Sequence, residues 1–371
     1  MAVKPKSQAL EVPTCEDRLL WDVLSSRMHI PALVVADQAG LFSLLAKGPA
    51  TGDEIARQLT LRPRKSEALL ALLAALGFLN RQHARFSLTN VSRNFLLPES
   101  PYSWVPVLQS GRESSTAGRL WQTLRGEQPG AKRDKASEKS LTRWWKAPRL
   151  DRATAKLVTE HMHAYSFPAA MGLVRWADFR EVKRLLDVGG GSGCFSIALA
   201  LRHPKMRCTI LELPAISRLS ARYVNQYGLK HRIDTRPMNM FKDTWPDGHD
   251  AVFFSNVFHD WDRETCAFLG RRSFDALPAG GRLYVHEILL ADSKDGPLAA
   301  ASFSMNILLT TDGQQFTSEE LEDLLEECGF VDVSVAHSYG YFSLVSARKP
   351  LNARSSRLRR RRAAARQHPA V

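Results

Sequence analysis

Cysteine is scarce and scattered in this chain. The five thiols, Cys15, Cys194, Cys208, Cys266 and Cys328, are odd in number, widely spaced and without a CxxC pair. That argues against a disulfide framework and a zinc site, and it suits a reducing compartment. Long apolar runs are missing too. The longest, ALLALLAALGFL at 68–79, falls well short of the roughly 20 residues a bilayer span needs. The opening MAVKPKSQALEVPTCEDR has no apolar h-region, so no secretory signal is read and a cytoplasmic location is expected. Acidic residues are absent from 351–371, where seven arginines lie. Without them the net charge of +13 falls to +6, so the body of the chain is only mildly basic. The tail reads as a disordered, solvated extension rather than a nucleic-acid or membrane contact.

What is present suggests two domains in 371 residues. Residues 1–14 read as a loose arm. From 15 to 110 the pattern is helix, turn, helix, hairpin, a winged-helix outline. Thr51 or Asp53 can cap one short helix, and Lys65 to Leu76 forms a second, ended by Gly77. That second helix, RKSEALLALLAALGFL, is apolar after its first turn. A helix that reads base edges would offer Arg, Lys, Asn or Gln instead, so a packing or dimerisation role is preferred over DNA binding. Residues 111–180 form a helical linker with a charged insertion, placed at 130–140. From 181 to 349 short apolar strands alternate with helices, at 183–189, 207–213, 232–237, 250–256 and 282–289. Strands at 331–338 and 340–348 follow a helix at 318–327 and should make an edge hairpin. This is the grammar of a doubly wound α/β domain with a mainly parallel sheet. Residues 350–371 are the arginine-rich tail.

The strongest motif is LLDVGGGSGCFSIALALRHP at 185–204. A buried strand ends at Asp187, glycines follow at 189, 191 and 193, and a helix begins. Glycines let the backbone turn sharply and approach a ligand closely. The spacing is D-x-G-x-G-x-G rather than the dinucleotide GxGxxG, which fits a cofactor without a pyrophosphate, its amino-acid end over the glycines. Glu212 ends the next strand in ILELP, where a carboxylate can accept both hydroxyls of a ribose. His259, in FSNVFHDWD, can on the residues alone be a packed core histidine, a metal ligand or a base.

These motifs together resemble one family, the plant-type and hydroxyindole-type S-adenosylmethionine-dependent small-molecule O-methyltransferases, which include the caffeate and acetylserotonin enzymes and bacterial relatives. The carrying residues are DVGGGSG (187–193), ELP (212–214), FHDW (258–261) and Glu287 in VHE, and the winged-helix front half matches as well. The resemblance implies a Rossmann-like methyltransferase domain preceded by an all-α, winged-helix dimerisation domain. It implies a homodimer, S-adenosyl-L-methionine as cofactor, a small hydroxylated aromatic substrate and no metal. His259 would be the general base, Glu287 its orienting partner, and Asp187, Gly189, Gly191, Gly193, Glu212 and Leu213 the heart of the cofactor site. The chain departs from the family at three places. Gln315 stands where a second glutamate is expected, which lets the side chain hold an imidazole but not stabilise its charge. Asn239, before Met240, replaces an aspartate near the adenine and can still accept a hydrogen bond from its amino group. Ser255 replaces a lysine. On the helix at 160–167, Met162 would clamp an aromatic ring, Ser166 would approach the cofactor carboxylate, and His163 is a further candidate polar contact. Asn306, Ile307 and Thr311 match pocket-lining positions. Two rivals stay open: a carbon methyltransferase of the same fold, motivated by Gln315, and a ligand-sensing winged-helix regulator, motivated by the arginine tail.

Overall fold

The computed structural model describes residues 13–100, 103–110, 112, 115–126 and 151–351. The charged insertion at 130–140 and the arginine tail lie outside them. The described residues pack as two units, one of 13–17, 151–288 and 318–351, the other of 18–126 with 289–317.

The front unit opens with α1 (Arg18–Ser26), α2 (His29–Ala39) and α3 (Leu41–Ala46). Together α1 and α2 make a 22-residue stretch, Arg18–Ala39, long and apolar enough by length and composition to cross a membrane. This corrects the expectation that no segment reaches that length. The stretch is interrupted by a turn at Arg27 and Met28, and Ala32 to Ala36 are core residues, as in the core helix of a folded domain. Next comes β1 (Ala50–Thr51), a two-residue strand with no signal in the sequence, then α4 (Gly52–Gln58). Thr51 caps α4: its side chain accepts from Glu54 N–H at 3.2 Å, while Glu54 Oε2 accepts from Thr51 N–H at 2.7 Å. The apolar helix forms as α5 (Pro63–Ala75), with Leu69 to Leu73 buried. The hairpin β2 (Leu79–Gln82) and β3 (Arg85–Leu88) follows, and β1 joins it to give the order β1-β3-β2. Short helices α6 (Asn90–Phe95), α7 (Val105–Ser110) and α8 (Ser115–Arg125) complete the front segment.

In the other unit, α9 (Arg152–Trp176) leads into β4 (Arg184–Val188), α10 (Cys194–Arg202), β5 (Arg207–Glu212), α11 (Pro214–Gln226), β6 (Ile233–Pro237) and β7 (Ala251–Ser255). After a short 3₁₀ turn at Phe258–Asp260 come α12 (Arg263–Ala276) and β8 (Arg282–Ile288). The helix α13 (Leu298–Thr310) belongs to the front unit, where it packs on α5. The chain ends with α14 (Ser318–Glu327), β9 (Val331–Tyr339) and β10 (Phe342–Arg348). Every strand read from the sequence after 181 is found within two residues of its expected ends. The sheet order is β6-β5-β4-β7-β8-β10-β9, parallel from β6 to β8 and antiparallel at the last two pairs. Leu185, Leu186, Ile210, Phe253 and Val285 are all fully buried, as strands covered on both faces require. Chain order reverses at β4, which pairs with β5 on one side and β7 on the other, and a ligand crevice is expected beyond the carboxyl ends there.

The Thr51 cap can be tested by itself. Thr51→Ala is expected to cost the front unit about 1 kcal/mol in a denaturant titration, and an unchanged midpoint would show the capping box to be idle.

Candidate active site

Three glycines carry the chain from β4 into α10. Gly189, Gly191 and Gly193 all have left-handed φ, at 71°, 56° and 80°. Gly191 is the clearest case: a Cβ there would touch nothing, so only its backbone conformation demands glycine. Gly190, which the alternate spacing did not single out, is needed for space. A Cβ there would lie 2.7 Å from the Asp187 carboxyl carbon. Asp187 is buried, and its Oδ2 accepts from Ser196 Oγ at 2.6 Å. Burial pushes its carboxyl up to about 6. Glu212, at the end of β5, faces the same cleft. Its Oε2 accepts from Leu213 N–H at 2.5 Å, and burial raises its carboxyl to about 7 despite that bond.

The cleft encloses about 960 Å³ of space, the open solvent at its mouth included. It is lined by Met162, Ser166, Asp187, Gly189, Gly191 and Glu212, and further by Leu213, Asn239, Met240 and Ser255. Gly193 and His163 are absent from the lining. Gly193 is the N-cap of α10. The His163 ring stacks between Tyr223 and Phe167, at 4.3 and 5.1 Å, and its Nδ1 lies 2.8 Å from Ser192 Oγ. Through Ser192 it braces the glycine loop. Asn239 accepts Phe241 N–H at its side-chain oxygen, 2.9 Å away, so the oxygen expected to meet an adenine already holds a turn. Sequence reasoning missed Asn256, Asp260 and Trp261, which also line the cleft. The positive φ of Asn256, 55°, had no visible precursor beyond the residue type, since asparagine tolerates the left-handed region.

The loop that carries His259 hangs from one carboxylate. Glu287 Oε1 accepts the backbone N–H groups of Val257 and Phe258, each at 3.0 Å, and Oε2 accepts from His259 Nδ1 at 2.6 Å. The histidine is buried, and Asp260 Oδ1 lies 3.6 Å from its Nε2. Burial alone would lower the imidazolium pKa. The charges of Glu287 and Asp260 and the Glu287 hydrogen bond outweigh it, and His259 is raised to about 9. Its proton sits on Nδ1 toward Glu287, and Nε2 is the nitrogen available to exchange one. His259 itself does not line the cleft, whereas Val257, Asp260 and Trp261 do. The remaining candidates lie in the front unit. Asn306 and Ile307 are on α13, where Asn306 Oδ1 accepts from Arg27. Thr311 follows the helix, and Gln315 is buried in the segment before α14.

The sequence pattern of the O-methyltransferase domain matches residues 133–331, and that of the O-methyltransferase dimerisation domain matches 21–98. The chain belongs to the O-methyltransferase family. It is 32% identical over 317 residues to a 3-hydroxy-5-methyl-1-naphthoate 3-O-methyltransferase of Streptomyces sahachiroi, covering 85% of this chain and 90% of the relative. It is 29% identical to an L-tyrosine C(3)-methyltransferase of Streptomyces lavendulae, covering 86% and 88%. Among solved structures it is similar to an O-methyltransferase family 2 protein from Planctomyces limnophilus in complex with apigenin. The TM-score is 0.81 at 25% identity, with 94% of this chain and all of the other covered.

The O-methyltransferase family uses S-adenosyl-L-methionine, and the cleft fits it. The open side of Gly191 admits a ligand against the loop, and the Glu212 carboxylate at the end of β5 lines the same cleft, where it could accept from a ribose. Since the Glu212 carboxyl goes from 4.5 in the free residue to about 7 when folded, its ionisation opposes folding as pH rises from one value to the other. A ligand that donates to the ionised form therefore binds more tightly as pH rises through about 7. Calorimetric titration with S-adenosylhomocysteine is expected to show affinity rising between about pH 6 and about pH 8, by at most tenfold per unit for one proton. Glu212→Gln should weaken binding and leave only the shallower dependence of Asp187 near 6. A pH-independent wild type would refute the assignment.

Proposed function

We propose that this O-methyltransferase methylates a hydroxyl of a small aromatic acceptor, with His259 as the base and Glu287 as the residue that orients it. The observation that carries the proposal is the buried Glu287–His259 pair, 2.6 Å apart, with Glu287 also fixed to the loop backbone. A phenol with a pKa near 10 is scarcely ionised at neutral pH, so a base beside it removes a large part of the barrier. S-adenosyl-L-methionine, when bound, supplies a methyl group already activated by its positive sulfur. The chain's own task is to position the acceptor and hold its proton at His259 Nε2, where the Glu287 charge stabilises the resulting imidazolium. Met162 in the cleft supplies an apolar contact for a flat ring. Asn306, Ile307 and Thr311 are assigned to the acceptor and Gln315 to the base region on the family resemblance. The naphthoate and apigenin named for the two relatives support an aromatic acceptor.

His259→Ala is expected to lower kcat by about 10²- to 10⁴-fold with cofactor affinity kept, and a kcat within tenfold of wild type would remove His259 from the mechanism. Because the base must be neutral to accept a proton, kcat/KM should climb with pH toward about 9. Glu287→Gln takes away the charge that favours the imidazolium. The rising limb should move to lower pH and the plateau should drop.

A second reading, carbon methylation, is favoured by Gln315 in place of a glutamate and by the tyrosine C(3)-methylating relative. The position of the methyl group in the product, read by NMR, separates the two. The regulator reading is not favoured, since α5 buries its leucines under α13. The cytoplasmic reading is supported by five free thiols.

The dimerisation domain supports a homodimer, and we place part of its interface on α1. Leu19, Leu20 and Val23 are 75%, 72% and 66% exposed, an apolar face at helical spacing left uncovered among the described residues. The double change Leu20→Glu, Val23→Glu is expected to shift the protein from dimer to monomer in light scattering. A dimer of undiminished stability would move the interface elsewhere.

A further inference from the structure

One fully buried histidine takes no part in the loop that carries His259. His286 precedes Glu287 on β8, so strand alternation sends its ring to the opposite face of the sheet. Phe342 stacks on it at 4.9 Å and Phe195 meets it edge-on at 5.0 Å. Its Nδ1 lies 2.9 Å from Ser255 Oγ and its Nε2 3.0 Å from Ser338 Oγ. Burial keeps the ring neutral, its pKa pushed down to about 3. A neutral imidazole has one donor nitrogen and one acceptor nitrogen.

Ser338 decides which is which. It is 1% exposed, and among the described residues His286 Nε2 is the hydrogen-bond partner of its hydroxyl. A proton on Nε2 would make Ser338 the acceptor and leave the serine's own hydrogen buried without a partner, which native structures avoid. With the proton on Nδ1, Ser338 donates to Nε2 and Nδ1 donates to Ser255 Oγ. One hydrogen is left over, that of Ser255, and Ser255 lines the cofactor cleft. The neighbouring end of β7 abuts the glycine loop, since a Cβ on Gly189 would lie 3.0 Å from Val257 Cγ2. The charged side chains of the cleft, Asp187, Glu212 and Asp260, are acids that take ligand N–H and O–H groups. A fixed donor supplies the opposite polarity.

We propose that His286, locked by Ser338 as its Nδ1-protonated tautomer, is a positioning residue that makes Ser255 an obligate donor to the carboxylate at the cofactor's amino-acid end. The inference rests on the cofactor reading of the cleft. Long-range proton–nitrogen NMR on the full chain with ¹⁵N-histidine, His286 assigned by its loss in His286→Phe or His286→Asn, reports the tautomer without any ligand. A neutral Nδ1–H ring unchanged from about pH 6 to about pH 8 is expected. The opposite tautomer, or a ring that titrates, overturns the proposal.

Calorimetry with S-adenosylhomocysteine and with its decarboxylated analogue tests the contact. Ser255→Ala should weaken the first about five- to tenfold and leave the second unchanged. His286→Phe should reproduce that loss and add nothing to Ser255→Ala. His286→Asn, whose amide nitrogen can take the place of Nδ1, should recover most of it. Equal losses for both ligands, or undiminished affinity in Ser255→Ala, would overturn the carboxylate contact. If His286→Phe does not fold, the tautomer and Ser255→Ala carry the test. Absence of binding in the wild type would sink the cofactor reading, and the tautomer would still decide the relay.

Discussion

Glu287 is 1% exposed, and both of its oxygens are bound to the loop that carries His259. A carboxylate buried without donors is costly, so it needs several good hydrogen bonds at once. Two come from backbone N–H groups, which become available because Asn256 takes a left-handed conformation at the end of β7. The third comes from the imidazole. Each of these donors would be stranded in turn without Glu287, at about 1–3 kcal/mol apiece. The 3₁₀ turn at Phe258–Asp260 and the orientation of the imidazole therefore depend on one side chain of β8.

The same strand has a second task on its other face. His286 lies among Phe195, Phe253 and Phe342, with its two nitrogens occupied by serines from β7 and β9. Successive residues thus place a charged pair and an uncharged pair on opposite faces of the sheet. Their electrostatics differ accordingly. A carboxylate beside His259 raises its pKa, whereas burial among apolar rings lowers that of His286. Two buried histidines in one domain are driven in opposite directions by their neighbours alone.

The parallel strands were legible because each is a short apolar run bounded by turn residues and long enough to be covered on both faces. The glycine loop was legible because its backbone conformation restricts the residue type. By contrast, β1 could not be read. Its two residues form a strand only through pairing with Phe86 and Arg85, more than thirty positions away. The placement of α13 was equally hidden. Buried Ala299 to Ala301, Met305 and Ile307 mark it as a core helix, but composition does not say which core. The surroundings of His163 were hidden for a related reason. A histidine one position from a cleft-lining methionine can face a ligand or brace a loop, and the stacking of Tyr223 and Phe167 is visible only after folding.

The sequence by itself determined the strand order of chemistry along the chain: a glycine turn after Asp187, an acid after the next strand, a histidine after the fourth. Those features are local, because backbone conformation and hydrophobic period act over a few residues. The tertiary structure decided which partner each histidine nitrogen meets, and which polar groups face the cleft. Those outcomes depend on partners 28 to 52 residues away, at Glu287, Ser255 and Ser338. A hydrogen bond is specific to a distance of a few tenths of an ångström, and only the packed sheet sets distances that fine.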